Sequence, residues 1–250
     1  MIKKVVVIGN SHAHSFTGSR LSNFGKGQWS TELLSSYSLG PVSAKTFLTS
    51  KWKIAEQFLS QIQDPSSTLV LLSLGENDCR WYIPREADNL QMKFDEFAAE
   101  KVVKEYLSSL FEVMQRVKGL GFQIAGWAGH PTPDLPNDHD KVIYGPYAFR
   151  SKLTNIWNHD LSVFCQENDY IFLSPITSLL NESGFPDKSK YVDEWHLDPA
   201  WLSGYLIRSL ESDGRIRKGS LLIYKFQLVT KRIQLIFLKL KRDCKNLFFK

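Results

Sequence analysis

Short apolar runs alternate along this chain with longer segments whose apolar residues recur every three or four positions. The runs Lys4–Ile8, Thr68–Leu74, Phe122–Trp127 and Tyr170–Leu173 are rich in β-branched or aromatic residues and bounded by Gly, Asp or Pro, which predicts four strands. Ser35–Leu39 is a fifth, less apolar candidate. Between them, Trp52–Gln63, Phe94–Lys118, Tyr147–Glu167 and Ala200–Leu210 carry helical spacing. In the second of these, Phe97, Val102, Tyr106, Leu110, Val113 and Val117 form one stripe that ends at Gly119 and Gly121. Strand and helix in regular alternation predict an α/β fold of three layers, α/β/α, around a central parallel sheet of about five strands.

Composition narrows the class. With 250 residues, 43% hydrophobic and 23% charged, the chain can bury one large core and is neither disordered nor a disulfide-stapled miniature. Cys79, Cys165 and Cys244 lie far apart with no paired spacing, so they predict no zinc site and no disulfide framework, and a reducing compartment fits best. The opening residues Met1 to Gly9 combine two lysines with an apolar run, but the run is too short for a signal peptide and reads as a buried first strand. The expected location is the cytoplasm.

The net charge of +5 is unevenly placed. Residues 219–250 hold six lysines and two arginines against Asp243, a net of +7, which leaves −2 for residues 1–218. A mildly acidic body argues against nucleic acid as a partner, because binding phosphates needs a basic face on the folded part. The chain therefore divides into a body, 1–218, and a basic tail, 219–250. In the tail, Leu222, Phe226, Val229, Ile233, Ile236, Phe237 and Leu240 recur at helical spacing, with Lys225, Lys231, Arg232, Lys239, Lys241, Arg242 and Lys245 on the remaining surface. Charges break every apolar run short of the roughly 20 residues that a bilayer span needs. The stripe could instead lie in the interface of an anionic membrane, or dock on its own body or on a second subunit of a homodimer.

Ligands of open parallel sheets bind beyond the carboxyl ends of the strands. There the sequence sets Gly9-Asn10-Ser11-His12, Gly40-Pro41, Gly75-Glu76-Asn77-Asp78 and Gly129-His130-Pro131. A serine becomes a nucleophile when a base takes its proton and donors hold the oxyanion. Asp193-Glu194-Trp195-His196 could supply that base, with Asp193 at Nδ1 of His196; Gly40 could offer a bare N–H, and Asn77 an amide donor. Each residue also has a plainer role. Ser11 could cap the first helix, Asp193 and His196 could form a surface ion pair, and Gly40 and Asn77 could serve turns. Asp78 and Arg80 could pair or orient their loop. His12, His14 and Asp78 make a poor metal site, since an i,i+2 pair does not converge. His130 reads as a cleft-rim residue, either a substrate contact or a plain loop position. Trp127, Trp195 and Trp201 read as core, with Trp195 also able to face a substrate.

The blocks Gly9-Asn10-Ser11-His12, Gly40, Gly75-Glu76-Asn77-Asp78 and Asp193-Glu194-Trp195-His196 resemble, in order, those of the SGNH (GDSL-type) hydrolases, over about residues 1–212. The resemblance implies a flavodoxin-like strand order and Ser11 as nucleophile. It also implies His196 as base, Asp193 as its orienter, and an oxyanion hole from the Ser11 and Gly40 N–H groups and the Asn77 side chain. It implies no cofactor. Asn10 stands where the family usually has Asp, so the loop keeps a local hydrogen bond without the charge. Gly-Glu-Asn-Asp-Cys-Arg is similar to a bacterial subgroup associated with surface polysaccharides, which implies an acylated glycan or small molecule as substrate. Hydrolysis of an acyl ester is the leading expectation. O-acyl transfer to a glycan uses the same motif, and a non-catalytic glycan-binding protein is a third reading. The absence of a phosphate-cradling Gly-rich motif for a coenzyme favours hydrolysis. The tail would then hold the enzyme peripherally at the inner membrane face.

Overall fold

A computed structural model describes residues 1–17, 31–91, 96–132, 143–191, 196–227 and 229–230. Five strands, β1 (Lys4–Gly9), β2 (Leu34–Ser38), β3 (Thr68–Ser73), β4 (Gln123–Trp127) and β5 (Ile171–Leu173), form one sheet in the order β2-β1-β3-β4-β5. Every pairing is parallel. This is the flavodoxin-like order that the resemblance implies.

An uninterrupted apolar run is what a strand buried on both faces requires, because successive side chains alternate between them. In β1, Val6 and Ile8 enter one core while Val5 and Val7 enter the other. β3 divides in the same way, Val70 and Leu72 against Leu69 and Leu71. The weaker β2 is an edge strand, and four of its five residues are only partly buried, so it has no need of a continuous apolar run.

Helices cover the two faces unequally. On one lie α1 (Ala44–Thr46), a π turn at Phe47–Lys51, α2 (Trp52–Leu59), α3 (Ile83–Asn89), α4 (Glu96–Gly119) and α5 (Tyr147–Glu167). On the other lie a 3₁₀ turn, Ser11–Phe16, the short α6 (Ile176–Leu179) and α7 (Pro199–Ser212). The expected stripe of α4 is buried at Val102, Tyr106, Leu110, Val113 and Val117, whereas the Phe97 side chain lies outside the described residues. Trp127 is core as expected, edge-on to Phe16. Several element ends shift by one to four residues, and two larger differences stand out. The first helical segment starts eight residues earlier than Trp52, at Ala44, because the Ser43 hydroxyl caps it by accepting from the Thr46 N–H. The other is α3, which the sequence reading leaves out; it continues directly from a π turn at Asp78–Tyr82, and Pro84 is its second residue.

α7 begins with Asp198 accepting from the Trp201 N–H (2.8 Å) and runs back along the sheet until the Arg215 carbonyl accepts from the Ile2 N–H (2.9 Å). It thus connects the carboxyl edge of the sheet to the amino edge. A further helical segment starts at 220; residue 228 and the tail beyond 230 lie outside the described residues.

Gly9 ends β1 with its Cα against the β3 backbone, and a Cβ there would stand 2.1 Å from the Ser73 carbonyl oxygen. Gly119, at the end of α4, has nothing within 4 Å of a Cβ. Gly9→Ala should therefore lower unfolding stability by about 1–3 kcal/mol, and Gly119→Ala should leave it level or raise it by about 0.5–1 kcal/mol. Urea titration checks both, and equal midpoints for the two variants would contradict the close approach.

Candidate active site

Strand order builds the site. β1 lies between β2 and β3, so the residues after β1 are flanked by the loops after β2 and β3. The Leu39 N–H donates to the Gly9 carbonyl (2.9 Å), and the Asn10 N–H to the Ser73 carbonyl (3.4 Å). Ser11 thus opens its 3₁₀ turn with the Gly40 loop on one side and the Asn77 loop on the other. The cap of that turn is Asn10, whose Oδ1 accepts from the His12 N–H at 2.9 Å. Capping is therefore not the role of half-buried Ser11, and the amide keeps the hydrogen bond expected of it.

Gly40 has φ +84°, a left-handed conformation that favours glycine. Its N–H donates to Ser38 Oγ at 3.2 Å, so an oxyanion would have to share or replace that hydroxyl. Asn77 is buried and its Oδ1 accepts from Arg80 Nη2, which leaves Nδ2 as the donating end of the amide. His196 is 3% exposed, and its ring centroid lies 4.7 Å from that of His12, the residue next to Ser11. Asp193 and Trp195 lie outside the described residues. His130 is not at an open rim. It is 4% exposed, edge-on to His12 with centroids 5.5 Å apart and packed near Tyr191.

The reading above gives Glu76 no role, yet the site is organised around it. His12 Nε2 lies 2.6 Å from Glu76 Oε2, Arg80 Nε donates to Oε1 at 2.6 Å, and the Thr132 hydroxyl donates to the same oxygen. Burial alone would raise the pKa of Glu76, but the charges of Arg80, His12 and His130 hold its carboxyl well below the usual range. The i,i+4 spacing of Glu76 and Arg80 was a readable signal for part of this; the contacts from His12 and Thr132 come from distant segments. Among the described residues, no group of three or more His, Cys, Asp or Glu side chains is placed to hold a metal.

Asp78 fastens the loops. Its Oδ1 accepts from the Ala44 N–H (2.9 Å) at the start of α1 and its Oδ2 from the Gly75 N–H (3.0 Å), tying the segment after β2 to the one after β3. Arg80 pairs with Glu76, and Asp78 orients the loop through these two N–H groups. Complete burial, with the Glu76 charge adding to it, pushes Asp78 up to about 7 despite these two N–H donors.

No family model and no curated protein matches the chain. Solved structures do share its fold. A GDSL-like lipase from Bacteroides thetaiotaomicron superposes with a TM-score of 0.55 at 13% identity, covering 84% of this chain and 89% of that one. A catalytic mutant of Axe2, an acetylxylan esterase from Geobacillus stearothermophilus, gives 0.52 at 16%, covering 83% and 94%. The chain thus shares its α/β/α fold with a GDSL-like lipase and an acetylxylan esterase.

The raised Asp78 pKa has a stability signature. An acid whose folded pKa lies above its unfolded value of 3.8 favours folding below that value, and the benefit is lost as pH rises through about 7. Asp78→Asn should remove this loss between pH 4 and 7 while costing about 1–3 kcal/mol for a backbone N–H left without its acceptor. Urea unfolding of wild type and variant across that range checks it; parallel pH profiles would contradict the assignment.

Proposed function

We propose that this chain is an SGNH-type serine hydrolase that cleaves an acyl ester, carried on a carbohydrate, through an acyl-enzyme on Ser11. The reading is supported by the sheet order, which sets the Ser11 turn after β1 beside the Asn77 segment after β3, and by the His196 ring lying against that of His12, the residue next to Ser11, in a fold shared with an acetylxylan esterase. The Ser11 oxygen attacks the ester carbonyl as His196 accepts its proton. Negative charge on the tetrahedral oxygen is held by the Asn77 amide and by the N–H groups of Ser11 and Gly40. Collapse expels the alcohol, which takes the proton back from His196. A water then repeats the sequence and releases the acid. Asp193 orients His196.

Arg80 matters here through Asn77: by occupying Oδ1 it fixes which end of the amide faces the substrate. The carbohydrate assignment is supported by the resemblance of Gly-Glu-Asn-Asp-Cys-Arg to polysaccharide-associated proteins and by the acetylxylan esterase among the structural neighbours.

A fluorophosphonate probe should label the wild type at Ser11, and Ser11→Ala should abolish labelling. Asn77→Ala should slow p-nitrophenyl acetate turnover by about 10²–10³, the usual effect of losing one oxyanion donor. Labelling at another residue would overturn the mechanism. Mass spectrometry of acetylated and bare glycans then reads the direction of reaction, and acetyl gain by a glycan from acetyl-CoA would replace hydrolysis with transfer.

A further inference from the structure

The first turns of the tail give its sequence pattern a direction. The helix starting at 220 is held to the body from one side. Tyr224 is 3% exposed and joins the core that contains Ile2 and Ile216, Ser220 is buried, and the Leu221 N–H donates to Glu211 Oε1 at 2.9 Å. On the other side Leu222 is 74% exposed, Phe226 71% and Val229 54%. At about 100° per residue these three share one line, roughly opposite Tyr224. The same spacing continues in the sequence at Ile233, Ile236, Phe237 and Leu240. A helix whose stripe docked on its own domain would bury these residues; here the described part of the stripe faces outward.

Charge decides what covers it. Arg215, Arg217, Lys218 and Lys225 are exposed in this helix or just before it, where residues 211–230 hold two acids, Glu211, which accepts from the Leu221 N–H, and Asp213, and residues 219–250 carry a net +7. A second copy would bring two such cationic segments together, so like charge opposes a homodimer through this face. Nucleic acid would match the charge but leave the apolar line in water. An anionic lipid surface takes both, the apolar line in the acyl boundary and the bases among the headgroups. Among the described residues no helix is long and apolar enough to cross a membrane.

We propose that the tail docks the protein on an anionic membrane surface through the Leu222–Phe226–Val229 line. This anchor sits at the end of α7 remote from Ser11, about 21 Å of helix away over its 14 residues. Membrane docking and ester chemistry are therefore separable, and the proposal does not depend on the hydrolase reading.

The test is co-sedimentation of the full chain with phosphatidylcholine vesicles, with and without phosphatidylglycerol. Binding should be more than about tenfold tighter with the anionic lipid and should weaken with salt. Leu222→Glu/Phe226→Glu should lower it by more than about tenfold, with an unchanged thermal midpoint and unchanged p-nitrophenyl acetate turnover. Equal binding to both vesicles, no binding, or a double variant that sediments like wild type would overturn the proposal. So would a wild-type dimer in sedimentation equilibrium that the double variant converts to monomer, since the stripe would then be a self-interface.

Discussion

A carboxylate stays ionised inside a protein only if opposite charge and hydrogen bonds replace the water it has lost. Glu76 meets that condition with partners from three strand ends: His12 after β1, Arg80 from its own loop after β3, and Thr132 after β4. The carboxylate therefore acts as a tie between loops that share no local sequence. Arg80, held on one side by Glu76, reaches Asn77 on the other, so the orientation of the proposed oxyanion donor depends on a charge that touches no substrate. Removing Arg80 would leave the buried Glu76 charge without its guanidinium, which is why such sites are costly to alter singly.

Asp78, two residues on from Glu76, solves a different problem with the same kind of group. It satisfies two backbone N–H groups that the loop geometry leaves without a ladder or helix partner, and it does so across the gap between the segments after β2 and β3. Its neighbour Glu76 is held charged while it is pushed toward neutrality. The difference follows from what each faces: guanidinium and imidazole in one case, amide dipoles in the other.

Much of this fold was legible because its physics is local. Val5–Ile8 and Leu69–Leu72 had to be apolar at every position, and Tyr147–Glu167 had the spacing of a long helix. β2 was faint because an edge strand tolerates serine. The π turn at Asp78–Tyr82 and α3 were hidden because Gly75 to Pro84 contains the residues that normally mark turns. Ser11, Gly40, Asn77 and His196 could be proposed as site residues from their positions after strands and before α7. The His12–Glu76 contact could not, since 64 positions separate the two residues and nothing in either segment announces the other. From sequence His12 reads only as a poor metal ligand, and its carboxylate partner lies in a loop whose evident functional group is the Asn77 amide.

The hydrogen bond between Ile2 and Arg215 has a topological meaning. The strand that leads into Ser11 starts where the helix following His196 finishes, so the body is nearly a closed ring of chain. Joining those two points and cutting elsewhere on the surface would change the order of the blocks in the sequence without changing their arrangement in space. The linear order that makes the blocks recognisable is thus separate from their arrangement in space, and the chemistry proposed for them does not require it.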